Sequence, residues 1–94
     1  MTNVATTLVK TRKASGYLQQ LCKHFGHKTQ VEFTPDTGCI SFSFGRADLA
    51  AEPEGLMMEA RAANVDDLER LQHVLASHLE RFAFREDLTI DWRI

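Results

Sequence analysis

The order of hydrophobic and polar residues along the chain predicts a protein built mainly of short strands. Apolar or β-branched residues either alternate with polar ones or run with threonines between them, as in strands. The pattern occurs at residues 4–10, 30–33, 39–44, 47–51, 56–62 and 87–94. Proline- and glycine-containing turn sequences at 35–38 and 53–55 separate neighbouring segments, so we expect an antiparallel meander in the middle of the chain.

Two longer segments repeat apolar residues every three or four positions, which is the spacing of one helix face. The first begins at Ser15, the predicted N-cap, and ends at Phe25. Gly26 follows, where a left-handed C-terminal cap would require glycine. The second helix has Asn64 as its predicted N-cap, and its apolar stripe continues to Phe82.

The predicted order of elements is therefore β-α-β-β-β-β-α-β. Each strand offers one apolar face and each helix one apolar stripe, so an antiparallel sheet with both helices on one face would bury all of them. We accordingly expect residues 1–94 to form a single α+β domain. The order is similar to the TATA-box-binding-protein-like architecture with one added strand, an analogy that carries no function.

Composition narrows the choice of partners and cellular location. The formal net charge is −2, which argues against a nucleic-acid or anionic-membrane partner. No apolar run reaches the length of a membrane helix, and the start of the chain lacks a signal-peptide pattern, so we expect a cytoplasmic protein. Cys22 and Cys39 are then expected to be free thiols, with Cys22 in the core.

Two stretches rich in basic, aromatic and histidine residues carry the candidate chemistry. They cover residues 17–28 and 78–86, and each is predicted to close a helix. If the two helices share one sheet face, their ends could meet and form a polar pocket. The predicted ligand-binding residues are His24, His27, His78, Arg81 and Arg85. The three histidines are also candidate ligands for a transition metal, because imidazole is a common metal ligand.

A purely structural interpretation is open for the same residues. Cationic side chains favour a helix C-terminus, which would explain His24 and His27 without a ligand. His78 lies beside the apolar stripe and could simply donate a hydrogen bond to a backbone carbonyl. No phosphate-binding loop, nucleophile elbow or zinc-protease motif is present, so the sequence favours a protein that is not an enzyme without excluding one. A further hypothesis, a small enzyme with a histidine as general base, lacks a recognisable partner residue.

The chain resembles a bacterial family known as domain of unknown function 2218. The resemblance lies in residues 17–28, 31–33 and 78–86 and in Trp92. The positions that carry the resemblance are His24, His27, Lys28, His78, Arg81, Arg85, Glu86 and Trp92. The resemblance implies a short bacterial protein without an assigned activity. It also implies an association of some members with siderophore-utilisation proteins, including siderophore-interacting flavin reductases.

Two hypotheses about function follow. In the first, the protein is a ligand- or metal-binding accessory protein in iron or siderophore handling, and its partner is a small acidic ligand or a siderophore-related protein. The acidic ligand would be a hydroxamate or carboxylate siderophore fragment held by the cationic side chains. In the second, the protein is a structural or interaction module that forms a homodimer through an exposed sheet edge or face.

Overall fold

The computed structural model describes residues 2–94. Its elements, in chain order, are β1 (Asn3–Lys10), α1 (Ala14–Phe25), β2 (Gln30–Phe33), β3 (Thr37–Phe42), β4 (Gly45–Glu52), β5 (Gly55–Ala62) and α2 (Val65–Phe82). The five strands form one antiparallel sheet in the order β1-β5-β4-β3-β2. The predicted α+β class and the antiparallel meander are confirmed. The likeness to the TATA-box-binding-protein architecture stays an analogy of topology.

One face of the sheet is buried because its strands present small and apolar side chains in register. Ala5 of β1 pairs with Ala60 of β5, which pairs with Ala47 of β4, and Ala47 pairs with Ile40 of β3. All four side chains are fully buried. The opposite, outer face carries the polar residues of the alternation, as expected for an antiparallel sheet covered on one side.

Both helices pack on the buried face, where their apolar stripes form the core. The leucines of the two stripes are at most 2% exposed: Leu18 and Leu21 on α1, and Leu68, Leu71, Leu75 and Leu79 on α2. Burying a leucine side chain contributes about 1.5–3 kcal/mol, so this layer dominates the stability of the domain. Within residues 2–94, no helix has the length and apolar character needed to cross a membrane.

A glycine allows α1 to approach the sheet closely. A Cβ atom on Gly38 of β3 would lie 2.7 Å from Cys22 Sγ and 3.4 Å from Leu18 Cδ2. Cys22 is fully buried, as predicted, and both cysteines are free thiols. The Cys22 thiol fills the space that a larger residue at position 38 would occupy. The close packing of α1 on β3 therefore depends on both residues.

The ends of the helices differ in part from the prediction. Asn64 is the N-cap of α2 and accepts a 2.8 Å hydrogen bond from the Asp67 backbone N–H, as predicted. Ser15 is not the N-cap of α1, because the helix begins at Ala14 and the Ser15 hydroxyl instead donates to the Pro35 carbonyl. Gly26 is right-handed, with φ −62°, and not the left-handed cap expected from its position.

The predicted final strand is wrong, because the C-terminal tail (residues 83–94) pairs with β1 at a single point. Thr6 and Arg93 exchange two backbone hydrogen bonds of 2.8 Å, and the rest of the tail has no ladder. Its alternation still has a structural meaning, since Leu88, Ile90 and Trp92 pack against the core. The tail thus covers the edge of the core without completing the sheet.

The contact between Gly38 and Cys22 generates a prediction about stability. Gly38→Ala should lower the free energy of unfolding by about 1–3 kcal/mol, because the new methyl group overlaps the thiol. The penalty should shrink in a Cys22→Ala background, which can be measured as a coupling energy by denaturant unfolding of the double-mutant cycle. Gly16→Ala is the matched control. A Cβ there meets no atom within 4 Å, so it should stabilise the helix by about 0.5–1 kcal/mol.

Candidate functional site

The ends of the two helices meet on the surface, and they bring two histidines together. His24 lies in the last turn of α1, and His78 lies one turn before the end of α2. The centroids of their imidazole rings are 4.9 Å apart, with a 47° angle between the ring planes. The convergence on which the predicted pocket depends is therefore present in the fold.

Phenylalanine rings surround the histidine pair. Phe25 lies 4.9 Å from the His78 ring, and Phe82 lies 5.7 Å from the His24 ring, measured between centroids. Phe25 also contacts Phe42 of β3 edge to face at 5.1 Å. We call His24, Phe25, His78, Arg81 and Phe82 the imidazole site. It combines polar ring nitrogens with a half-buried apolar floor formed by the two phenylalanine rings.

A backbone hydrogen bond orients the His78 ring. Its Nδ1 atom lies 2.7 Å from the Val74 carbonyl oxygen, one helical turn earlier. Since a carbonyl can only accept, Nδ1 carries the proton, and in the neutral ring Nε2 is left with a free lone pair. This is the bond that the structural interpretation predicted for His78. It also fixes the tautomer in the way that ligand-binding histidines are commonly fixed.

The charged and titratable groups that act on His24 are all basic. The pKa of His24 is lowered from its usual value, first by partial desolvation and then by repulsion from His78 and Arg81, with His27 and Lys28 contributing less. Each of these neighbours is a cation or becomes one on protonation. A proton on His24 is therefore disfavoured until an anion supplies the missing negative charge.

No carboxylate neutralises these cations within the described part of the chain. The ion pairs formed by residues 2–94 are Arg46–Asp48 and Arg61–Glu59, and both lie on the outer face of the sheet. Arg81, whose charge acts on His24, has no acidic partner within 4.0 Å. An arrangement of donors with no acid among them can receive an anionic group from outside the protein.

The other two predicted site residues do not belong to the cluster of contacting rings around His24 and His78. His27 is exposed in the turn after α1, and the Arg85 guanidinium lies 5.4 Å from the ring centroid of its neighbour Phe84. Among residues 2–94, no three histidine, cysteine or acidic side chains form a group that could hold a metal ion. Roles for His27 and Arg85, and metal binding by the histidines, therefore stay predictions.

A second polar cluster was not predicted from the sequence. Tyr17 of α1 donates a short hydrogen bond to Glu86 Oε2, and the Thr11 hydroxyl donates to Glu86 Oε1 at 3.0 Å. Burial raises the pKa of Tyr17 to about 12, helped by the hydrogen bond and negative charge of Glu86. The hydrogen bond from Tyr17 in turn holds the pKa of Glu86 below its usual value. The cluster anchors the start of the tail to α1.

These features define a small α+β domain in which two helices on one sheet face bring an aromatic and cationic site together. Residues 6–93 match the family described as an uncharacterized protein conserved in bacteria, DUF2218, and the chain belongs to that family. It is also similar to the solved structure titled "NMR structure of PA4090 from Pseudomonas aeruginosa", at 40% sequence identity and a TM-score of 0.81. The match covers 96% of this chain and 94% of that one. No curated protein matches the chain.

The lowered pKa of His24 predicts how its titration responds to substitution. His78→Gln should raise the pKa of His24 by removing one like charge, although the value should stay below 6.5 because desolvation is the larger cause. His73→Gln is the control, since His73 is exposed and does not act on His24. Nuclear magnetic resonance (NMR) titration of the imidazole protons measures both. An unchanged His24 pKa in His78→Gln would show that the rings do not interact.

The lowered pKa of His24 also makes the stability of the fold depend on pH. Because the folded state disfavours the His24 proton, acidification through and below pH 6.5 should reduce the free energy of unfolding. His24→Gln should weaken this part of the pH dependence. Denaturant unfolding at a series of pH values gives the comparison, with His73→Gln expected to resemble the unmodified protein.

The Tyr17–Glu86 contact predicts an alkaline titration with a clear optical signal. Tyr17 is the single tyrosine of the chain, so the ultraviolet absorbance of tyrosinate reports on it alone. Its midpoint should lie near 12, and Glu86→Gln should move it towards 10 without reaching it, since burial remains. A midpoint near 10 in the unmodified protein would contradict the contact.

Proposed function

We propose that this protein binds a small anionic ligand at the imidazole site. The observation that carries the proposal is the pair of imidazole rings 4.9 Å apart beside an arginine with no carboxylate to neutralise them. Binding an anion there would relieve the repulsion that lowers the pKa of His24. His24 and Arg81 are both exposed, so an anion in solution can reach them directly.

The residues suggest which anions fit. A hydroxamate or carboxylate can accept hydrogen bonds from a protonated His24 and from the Arg81 guanidinium, and charge-assisted bonds of this kind are the stronger ones. The neutral His78 ring can accept a hydrogen bond at Nε2 from the N–H group of a hydroxamate. An aromatic or aliphatic body attached to the anion would lie against Phe25 and Phe82.

The proposal extends to iron or siderophore handling through the family resemblance. Hydroxamates and carboxylates are iron-chelating groups of the kind that siderophores carry, and a small binding domain could act as an accessory to siderophore-utilisation proteins. A transition metal is an alternative ligand. With two imidazoles from the protein, the metal's remaining coordination positions would be filled by donors of a bound chelator. A cytoplasmic location without nucleic-acid or membrane partners completes the proposal.

A second candidate function is homodimer formation through the outer face of the sheet, which no helix covers. Arg46 and Arg61 pair across β4 and β5 on this face, and Asp48 and Glu59 form the neighbouring pair. Adjacent rows of opposite charge are self-complementary, so a second copy related by a twofold axis could place arginines on carboxylates. This candidate needs no small ligand.

Binding of benzohydroxamate and of citrate to metal-free protein tests the proposal. Isothermal calorimetry should detect saturable binding of at least one of them, and His78→Ala should weaken it about tenfold or more, a loss of about 1.4 kcal/mol. His73→Ala should bind like the unmodified protein. Binding of citrate, which stays ionised, should tighten as the pH falls towards 6, because the protonated His24 attracts its carboxylates.

The outcomes separate the alternatives. Binding that requires added ferric iron or zinc, and that His78→Ala abolishes, would support the metal alternative. No binding under any condition, together with a mass that rises with protein concentration and falls for Arg61→Glu, would favour the homodimer. Equal affinities of the His78→Ala and His73→Ala variants would overturn the assignment of the site.

A further inference from the structure

A row of aromatic rings extends from the imidazole site to the turn between β3 and β4. Phe25 belongs to the site, and its ring centroid lies 5.1 Å from that of Phe42. Phe44, in the turn, lies 5.3 Å from Phe42. All three side chains are half-buried, so part of each ring stays in contact with solvent. We call Phe25, Phe42 and Phe44 the ring row, which lengthens the apolar floor of the imidazole site.

A second cation lies at the far end of the ring row. The Arg70 guanidinium of α2 is 3.9 Å from the centroid of the Phe44 ring. Arg70 is exposed and has no acidic partner within 4.0 Å among residues 2–94, although Asp66 and Asp67 lie one helical turn earlier. A guanidinium that stacks on a ring keeps the N–H groups of its edge free to donate to a carboxylate.

The periodicity of α2 places this cation on the same side of the helix as Arg81. About three full turns separate Arg70 from Arg81, so the two side chains leave the helix in nearly the same direction. Along the helix axis Arg70 is about 12 Å from His78 and about 16 Å from Arg81. The ring row runs beside this part of α2, since Phe44 contacts Arg70 and Phe25 contacts His78.

The resulting surface has basic groups at both ends and apolar rings between them. At one end, the charged and titratable groups that act on His24 are all basic. At the other end, Arg70 has no acid within ion-pair distance in the described part of the chain. Charge complementarity therefore selects a ligand with one anionic group at each end, and the rings select an apolar body between the two groups.

We propose that the imidazole site and Arg70 together bind an elongated dianion, whose aromatic or apolar body lies on the ring row. The proposal rests on the function proposed above and names the class of ligand, a molecule with two carboxylates about 10–15 Å apart. A ligand with a single carboxylate would contact one end only. When two groups belong to one molecule, the second contact forms at a high effective concentration, which strengthens binding.

Three aromatic carboxylates test the proposal with metal-free protein. Biphenyl-4,4′-dicarboxylate carries two carboxylates at the ends of a long body, and biphenyl-4-carboxylate lacks one of them. Benzene-1,4-dicarboxylate has the same charge as the first compound, but its carboxylates are too close together to reach both ends. In isothermal calorimetry, the biphenyl dicarboxylate should bind about tenfold or more tightly than either of the others, with one ligand per chain.

Substitution of Arg70 separates the two ends of the proposed site. Arg70→Gln should weaken binding of the biphenyl dicarboxylate about tenfold and leave binding of the monocarboxylate unchanged. His78→Ala should weaken binding of both compounds. Arg12→Gln is the matched control, because Arg12 is an exposed arginine before the start of α1, whereas the imidazole site lies at its end. An unchanged amide NMR spectrum of the core verifies the fold of each variant.

NMR contacts locate the body of the ligand. In the complex with the biphenyl dicarboxylate, nuclear Overhauser effects should connect the ligand protons to the ring protons of Phe42 and Phe44. The monocarboxylate should retain contacts to Phe25, because its carboxylate binds at the imidazole site. Contacts of the dicarboxylate to neither Phe42 nor Phe44 would contradict the placement of its body on the ring row.

The binding results also have outcomes that would overturn the proposal. Equal affinities of the biphenyl dicarboxylate and monocarboxylate, or a dicarboxylate affinity that Arg70→Gln leaves unchanged, would show that no second anionic group is held at Arg70. Binding of the monocarboxylate that still depends on His78 would then support the anion site alone. One dicarboxylate for every two chains would mean that it bridges two copies. No binding that depends on His78, for citrate or any of the three compounds, would overturn the anion site as well.

Discussion

The packing of both helices on one face of the sheet is the constraint on which the rest of the structure depends. A five-stranded antiparallel sheet with one apolar face must cover that face, and two amphipathic helices do so. Small residues in the sheet set how closely they approach, most sharply where Gly38 receives the Cys22 thiol. Once α1 and α2 lie side by side, their C-terminal turns become neighbours, and His24 meets His78.

This arrangement concentrates positive charge without balancing it. Cationic side chains near a helix C-terminus are individually favourable because of the helix dipole. Two such ends brought together place the cations of one helix next to those of the other, and their repulsion adds to the desolvation that lowers the pKa of His24. The fold tolerates this because the side chains are partly solvated and water screens their repulsion. In the function proposed here, the same imbalance is what would attract an anion to the imidazole site.

The sequence predicted the class, the helices and five of the six strands well, because their periodicities agree with the tertiary environment. It failed at residues 87–94, where Leu88, Ile90 and Trp92 alternate as in a strand but pack against the core from a tail that bonds β1 only at Thr6. Alternation reports which side chains are buried, not whether the backbone forms a ladder. The two histidine-rich stretches were recognisable, but the pairing of Tyr17 with Glu86 depends on tertiary geometry that no local spacing encodes.

The most direct test of the central claim follows the imidazole ring signals of His24 and His78 by NMR while citrate is added to the metal-free protein. If the helix ends form one anion-binding site, both rings should respond in a single saturable transition with the same dissociation constant. The pKa of His24 should rise in the bound state. Saturable binding that leaves both rings unchanged, or no binding at all, would contradict the account.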